Sequence, residues 1–375
     1  MMARNSSPMQ ICYDYQIFAA QKYGGISRYF IETALRIQQR QDAAVRVIAP
    51  LYQSKLLESK RRVIPVVGTC FSSEFKKASG LCLRAGAILS SAVGVVYRPD
   101  IVHETYYSAK QTMKPRGKTV LTVYDMIAEL FPRNGETPPT LIPTRKAAFE
   151  RADHLICISE NTRADLIRLY GVEPAKISVI PLASSITASK MPLAATGDPF
   201  FLYVGGRWGY KNFLGLAKAY FQSGLYKSHK LVCFGGGTFA DRELRQFKEE
   251  GLPIDRFEIV DGDDEMLARY YGAAVALIYP SLYEGFGIPL LEAMDCSCPV
   301  LCGNSSSLPE VAGDAAAYFD ASEPSDIARA MLEVANSAEE RTRLIQKGKD
   351  RVMQFSWDKC AQQTYAVYER LLSKK

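Results

Sequence analysis

The chain has 375 residues, 47% hydrophobic and 23% charged, with 26 Gly and 19 Pro. That is a globular composition, and it excludes collagen-like, low-complexity and wholly disordered chains. The length exceeds what one core usually serves, so two domains are expected, and no run reaches the ~20 apolar residues of a membrane span. The start, MMARNSSPMQICYDYQIF, holds no apolar signal-peptide core, which predicts a cytoplasmic protein. Nine Cys without a C-x-x-C pair read as reduced thiols, not as a disulfide framework.

Short β-rich runs alternate with amphipathic segments along the whole chain. In the first half the strand candidates are QICYDY, AVRVIAP, RVIPVV, DIVHE, TVLTVYD, HLICIS and ISVIPL. A stretch poor in periodicity follows, SSITASKMPLAATGDP, and marks a linker near 183–198. A second set then begins at Phe200: FFLYVGG, KLVCFGG, FEIVDG, VALIYPS, PVLCGN and AAYFD. Strands apolar on both faces and separated by helices predict parallel sheets covered on both sides. The fold class is therefore α/β, with two doubly wound, Rossmann-like domains over 1–183 and 199–355. The last segment, 356–375, reads as a helix with an apolar stripe.

Charge divides along the same line. Residues 1–180 carry 25 Lys and Arg against 15 Asp and Glu, a net of +10, and 181–375 carry 21 against 25, a net of −4. The basic half faces either an anionic partner or only water. Within it, 75–98 is basic at both ends and apolar between, which fits a helix lying on a membrane surface or a buried helix of the domain. No nucleic-acid motif is present, so no nucleic acid is expected as a partner.

Ligands of doubly wound sheets bind beyond the carboxyl ends of the strands. There the strongest signal is YPSLYEGFGIPLLEAM. A strand ends, Glu284 comes next, Gly285 and Gly287 let a ligand approach the backbone of Phe286, and a helix opens at Ile288-Pro289. Free N–H groups at a helix start favour phosphate, and Glu292, inside the helix, suits the hydroxyls of a ribose. The second signal is FLYVGGRWGYKNF, where Gly206 is followed by Arg207 and Lys211. Two cations at a strand end, in an otherwise acidic half, predict a diphosphate site.

With the loop Gly24-Gly25-Ile26 after the first strand, these motifs resemble the retaining glycosyltransferases of family 4, and YVGGRWGYKN is most similar to mannosyltransferase-type members of bacterial polysaccharide synthesis. The resemblance runs nearly the whole chain. It implies the GT-B fold, two domains facing across a cleft, with 356–375 crossing back to the first. It also implies a sugar moved from a GDP- or UDP-linked donor, without metal or cofactor, to a glycan or lipid-linked acceptor. By the same resemblance Glu284 meets the donor sugar, Glu292 the ribose, and Arg207 and Lys211 the leaving diphosphate. Phe286 and Gly287 cover the phosphates, Gly24 and Gly25 approach them from the other domain, and Asp261 to Leu267 lie near the base. A His-Asp pair common in the family is here Tyr124-Asp125, so His103 is expected to stand in on the acceptor side. An anionic membrane on its inner face is the further partner implied.

Three other signals stand in the sequence. GGGTFA holds a weak G-x-G-x-x-A dinucleotide fingerprint, which would make the chain an NAD enzyme. It does not follow the first strand of its domain, so Gly235 and Gly236 are read as bordering the donor nucleotide. Asp261-Gly262-Asp263 matches a loose metal motif, but Asp263 equally suits a helix N-cap. Cys296, Cys298 and Cys302 cluster without a nearby His and read as core thiols, not zinc ligands.

Overall fold

A computed structural model describes residues 7–71, 78–132, 138–191, 197–252 and 254–373, and the side chains of all of these but 78–85. The chain divides into two compact units. The first comprises Met1–Tyr124, Asn134–Leu182 and Trp357–Lys375, and the second Asp125–Arg133 and Ala183–Ser356.

The first unit holds seven parallel strands: β1 (Met9–Tyr13), β2 (Ala43–Tyr52), β3 (Val66–Cys70), β4 (Ile101–Glu104), β5 (Lys118–Val123), β6 (His154–Cys157) and β7 (Ile177–Val179). Their order is β3-β2-β1-β4-β5-β6-β7, with Ile11 in register with Val45 on one side and Ile101 on the other. Central strands such as β4 are buried along their length, as their unbroken apolar runs require. Each strand candidate of the first half contains a strand, although the third begins only at Val66.

The second unit repeats the plan with six strands: β8 (Phe200–Val204), β9 (Lys230–Phe234), β10 (Phe257–Val260), β11 (Ala276–Tyr279), β12 (Val300–Gly303) and β13 (Ala316–Phe319), ordered β10-β9-β8-β11-β12-β13. Phe201, Tyr203, Leu231, Ile278 and Leu301 point into one core with helix residues such as Phe213, Leu216 and Met331. The strand order reverses between β8 and β11, and such a switch point opens a crevice at the carboxyl ends of its two strands. The loops after those two strands are the ones that carry Arg207, Lys211 and Glu284.

Two features depart from a simple division at the linker. Segment 125–133 belongs to the second unit, where the Phe131 ring lies 6.2 Å from Tyr210 and 5.9 Å from Tyr283. The C-terminal helix Trp357–Ser373 belongs to the first unit. It packs on the helix Gly25–Ile37, with Trp357 against Tyr29 and Asp358 paired to Arg36 at 2.8 Å.

The helix Ala78–Tyr97 has two unlike faces. Gly86 and Gly94 are buried; a Cβ at Gly86 would strike the Tyr15 ring at 2.6 Å, and one at Gly94 would press on Met113 at 3.1 Å. Ile88, Val95 and Val96 are 75%, 71% and 78% exposed. The region is thus neither wholly buried nor wholly at the surface, and Lys76 and Lys77 before it lie outside the described residues. Among the described residues no helix is long and apolar enough to cross a membrane.

Candidate active site

The loop after β8 is shaped by Gly205 (φ +115°) and Gly209 (φ +49°), left-handed conformations that glycine adopts without a Cβ penalty. A short turn then delivers Lys211. Its Nζ donates to Glu284 Oε1 at 2.6 Å and to the Tyr279 hydroxyl at 3.0 Å, so the cation, the carboxylate and the last residue of β11 meet at the switch point. Burial alone would pull the Lys211 ammonium down. The oxygens of Tyr279 and Glu284 more than offset this and hold it well above the usual lysine range. The two loops are also tied directly, since the Leu282 amide donates to the Tyr210 carbonyl at 2.8 Å.

The Glu284 loop is pinned from behind. The Glu284 amide donates to Ser306 Oγ at 2.9 Å, and Ser307 Oγ donates to the carbonyls of Glu284 and Phe286, both at 2.9 Å. Gly285, Phe286 and Gly287 are buried. Gly287 has φ +106°, and a Cβ there would come within 2.9 Å of Leu308 Cδ2. The helix Ile288–Asp295 begins at once, with Pro289 in its first turn and no side-chain cap. Pro289 has no N–H and the Leu290 amide donates to the Gly287 carbonyl at 3.0 Å, so what the helix start offers an anion is chiefly the positive end of its dipole. One turn on, Glu292 is half-buried and accepts from the Tyr271 hydroxyl at 3.1 Å. Ser306, Ser307, Tyr271 and Tyr279 were not foreseen from the sequence. The serine run before LPEV was the visible trace of the first two.

Other residues singled out from the sequence sit as follows. Gly206 is half-buried, and its carbonyl accepts from the Tyr203 hydroxyl at 2.5 Å. Gly235 and Gly236 are left-handed (φ +79° and +78°) in the loop after β9. Asp261 is exposed and accepts from its neighbour's amide. Asp263 caps the helix Asp264–Ala273 by accepting from Met266 N at 2.9 Å, and Leu267 is buried within that helix. Among the described residues no cluster of three His, Cys, Asp or Glu could hold a metal. Cys296, Cys298 and Cys302 are buried, and burial pushes all three thiols up, that of Cys296 to about 12. In the first unit Gly24 is extended, and Gly25 opens the helix Gly25–Ile37.

Four of the expected site residues are held by other groups of the protein. The Arg207 guanidinium is engaged by protein groups: Nε donates to Glu243 at 2.9 Å, and the other nitrogens donate to the carbonyls of Gly235, Gly236, Gly237 and Thr238. His103 is fully buried, with Nδ1 2.6 Å from the Tyr368 hydroxyl and Nε2 2.8 Å from Thr122 Oγ1. Burial pushes its imidazole down to about 3, so it is a neutral imidazole packed in the core of the first unit. Tyr124 is buried as well and donates to the Thr105 carbonyl at 3.1 Å. Asp125 is half-buried, accepts from the Ile127 amide at 2.9 Å, and belongs to the second unit. The carboxyl ends of β1 and β4 instead carry Asp14 and Glu104, both fully buried. Asp14 is held by Thr105 and Gln16, and Glu104 by Arg151 at 2.7 and 2.9 Å.

Two families match this arrangement. Glycosyltransferase Family 4 covers residues 23–183, and Glycosyl transferases group 1 covers 186–351. Between them they take in most of the chain, which belongs to this group of GT-B glycosyltransferases. The O-antigen chain mannosyltransferase B of Escherichia coli is 32% identical over 239 residues, 60% of this chain and 62% of that one. The O-antigen chain mannosyltransferase RfbU of Salmonella typhimurium is 29% identical over 176 residues, 47% of this chain and 49% of that one. The matches thus span between about half and three fifths of these relatives. Sucrose-phosphate synthase from Thermosynechococcus elongatus shares the fold over 99% of this chain and 100% of its own, with TM-score 0.76 and 18% identity.

Proposed function

We propose that the chain is a retaining glycosyltransferase that moves a hexose, mannose before others, from a nucleoside-diphosphate donor to a glycan or lipid-linked acceptor without a metal. The contact between Lys211 and Glu284 at the switch point carries this reading. Lys211 neutralises the departing diphosphate, helped by the uncapped helix start at Ile288, and Glu284 holds hydroxyls of the transferred sugar. Glu292 takes the ribose. Transfer proceeds on one face of the sugar, with a leaving phosphate oxygen accepting the acceptor's proton. The names of the relatives favour mannose and hence a GDP-linked donor.

The test is incubation of the purified chain with labelled GDP-mannose, UDP-glucose and dTDP-glucose. A transferase hydrolyses its own donor slowly in the absence of acceptor. GDP-mannose hydrolysis, unchanged by EDTA, is the expected result. Binding without turnover reduces the chain to a nucleotide-sugar binder, and turnover abolished by EDTA and restored by Mn²⁺ overturns the metal-free mechanism.

The acceptor side extends the reading to a lipid surface. The exposed Ile88, Val95 and Val96, with Arg98 beyond them, lie in the half of the chain that carries net +10 from 25 Lys and Arg against 15 Asp and Glu. An apolar helix face of this kind inserts at the headgroup level, and each cation near an anionic surface adds about 1 kcal/mol. The chain is expected to co-sediment with phosphatidylglycerol vesicles at low salt, less at high salt, and not with phosphatidylcholine vesicles. Val95→Asp with Val96→Asp abolishes that binding and leaves donor hydrolysis unchanged. Equal partitioning of the variant and the parent refutes the lipid contact.

A further inference from the structure

We propose that Arg207, paired with Glu243, is a positioning residue that holds the glycine loop 235–238 in shape for the donor nucleotide, and that it is not a ligand of the diphosphate. This rests on the donor-site reading above.

Four consecutive carbonyls converge on one guanidinium. Arg207 Nη1 donates to Gly235 O at 3.2 Å, and Nη2 reaches Gly236 O at 3.3 Å, Gly237 O at 2.9 Å and Thr238 O at 3.0 Å. Such convergence needs the left-handed backbone that Gly235, Gly236 and Gly237 adopt. It also needs the absence of a side chain at Gly236, where a Cβ would stand 2.8 Å from Arg207 Nη1 and 2.8 Å from the Gly205 carbonyl. Three successive glycines have the most backbone freedom to lose, so the loop does not hold this shape by itself.

Glu243 completes the clamp. One carboxylate oxygen accepts from Arg207 Nε at 2.9 Å, and the other accepts from the Ala240 amide at 2.8 Å, at the start of the helix Asp241–Glu249. The Phe239 ring lies 4.7 Å from the guanidinium. The Arg207 side chain is 2% exposed. A cation so buried requires a partner charge, and Glu243 supplies it. The planar fork suits the geometry, and a lysine's point charge does not.

The two roles predict different behaviour. A diphosphate ligand loses turnover when Arg207 is removed, tolerates Arg207→Lys, and is indifferent to Glu243. A clamp makes Arg207→Ala, Arg207→Lys and Glu243→Ala alike. Each is expected to raise the donor KM and weaken GDP or UDP binding ~10-fold with kcat changed by less than ~3-fold, the loss expected for a hydrogen bond to a charged group. The double variant Arg207→Ala, Glu243→Ala is expected to be no worse than the worse single one.

Hydrogen exchange at the Gly235 amide, which donates to the Val260 carbonyl at 2.8 Å and not to Glu243, is measured in parallel without any nucleotide. Exchange is expected to quicken ~10-fold or more in each variant, while the strands keep their protection. Glu243→Gln serves if Glu243→Ala fails to fold. Unchanged exchange in the Glu243 variants, or a collapse of kcat in Arg207→Ala alone, overturns the clamp. If the parent protein neither binds GDP or UDP nor hydrolyses a donor, the donor-site reading falls, and the exchange rates still decide whether Arg207 and Glu243 hold the loop.

Discussion

Alanine in place of Glu284 or Lys211 lowers donor turnover ~10²–10³-fold, the equivalent of about 3–4 kcal/mol in the transition state. The two side chains are each other's partner at 2.6 Å and are 10% and 15% exposed. Removing either therefore also leaves a nearly buried charge with fewer contacts, and some stability is lost with the activity. Glu284→Gln and Lys211→Met keep the volume and lose the charge, and they separate the two effects. Turnover at saturating donor is measured on variants whose near-UV circular dichroism matches that of the parent. A rate near the parent's in any of the four removes that residue from the chemistry.

The second large effect is structural. Deleting residues 356–375 is expected to leave the first unit unable to reach its native packing. The helix Trp357–Ser373 buries Trp357, Cys360, Ala361, Thr364, Tyr365, Val367 and Tyr368. At roughly 1.5–3 kcal/mol for each large apolar side chain, the loss is on the order of the whole stability of a domain, about 5–15 kcal/mol. It also strips His103 of the Tyr368 hydroxyl and Tyr29 of Trp357. Limited proteolysis is expected to degrade the first unit and spare the second. A truncated protein with the parent's protease resistance and donor hydrolysis shows the helix to be dispensable.

The fold was readable because its signal is local and repeated: each apolar run between helices became a strand, and the first strand of each set took a central place in its sheet. The motif from Glu284 to Glu292 was readable for a related reason, since strand end, glycines, helix start and second carboxylate fall within one short stretch. Elsewhere the outcome depended on distant partners. His103 ends a strand, where ligand residues are found, but Tyr368 lies 265 residues further on and closes over it. Arg207 has the residue type of a phosphate ligand, yet the direction of its guanidinium is set by the backbone angles of three glycines and by Glu243, 36 residues away. Segment 125–133 is claimed for the second unit by rings of Tyr210 and Tyr283 that no periodicity announces.

The membership of the C-terminal helix also fixes an order of assembly during synthesis. The second unit's main stretch, Ala183–Ser356, is translated before Trp357 appears. At about 5–20 residues per second that takes roughly 10–35 s. Throughout this time the nascent first unit carries an uncovered surface on the helix Gly25–Ile37, where Tyr29 will later meet Trp357. The second unit has its own six-stranded sheet and can complete itself while still close to the ribosome. Of the two units, the one begun first is thus the one whose packing is completed last.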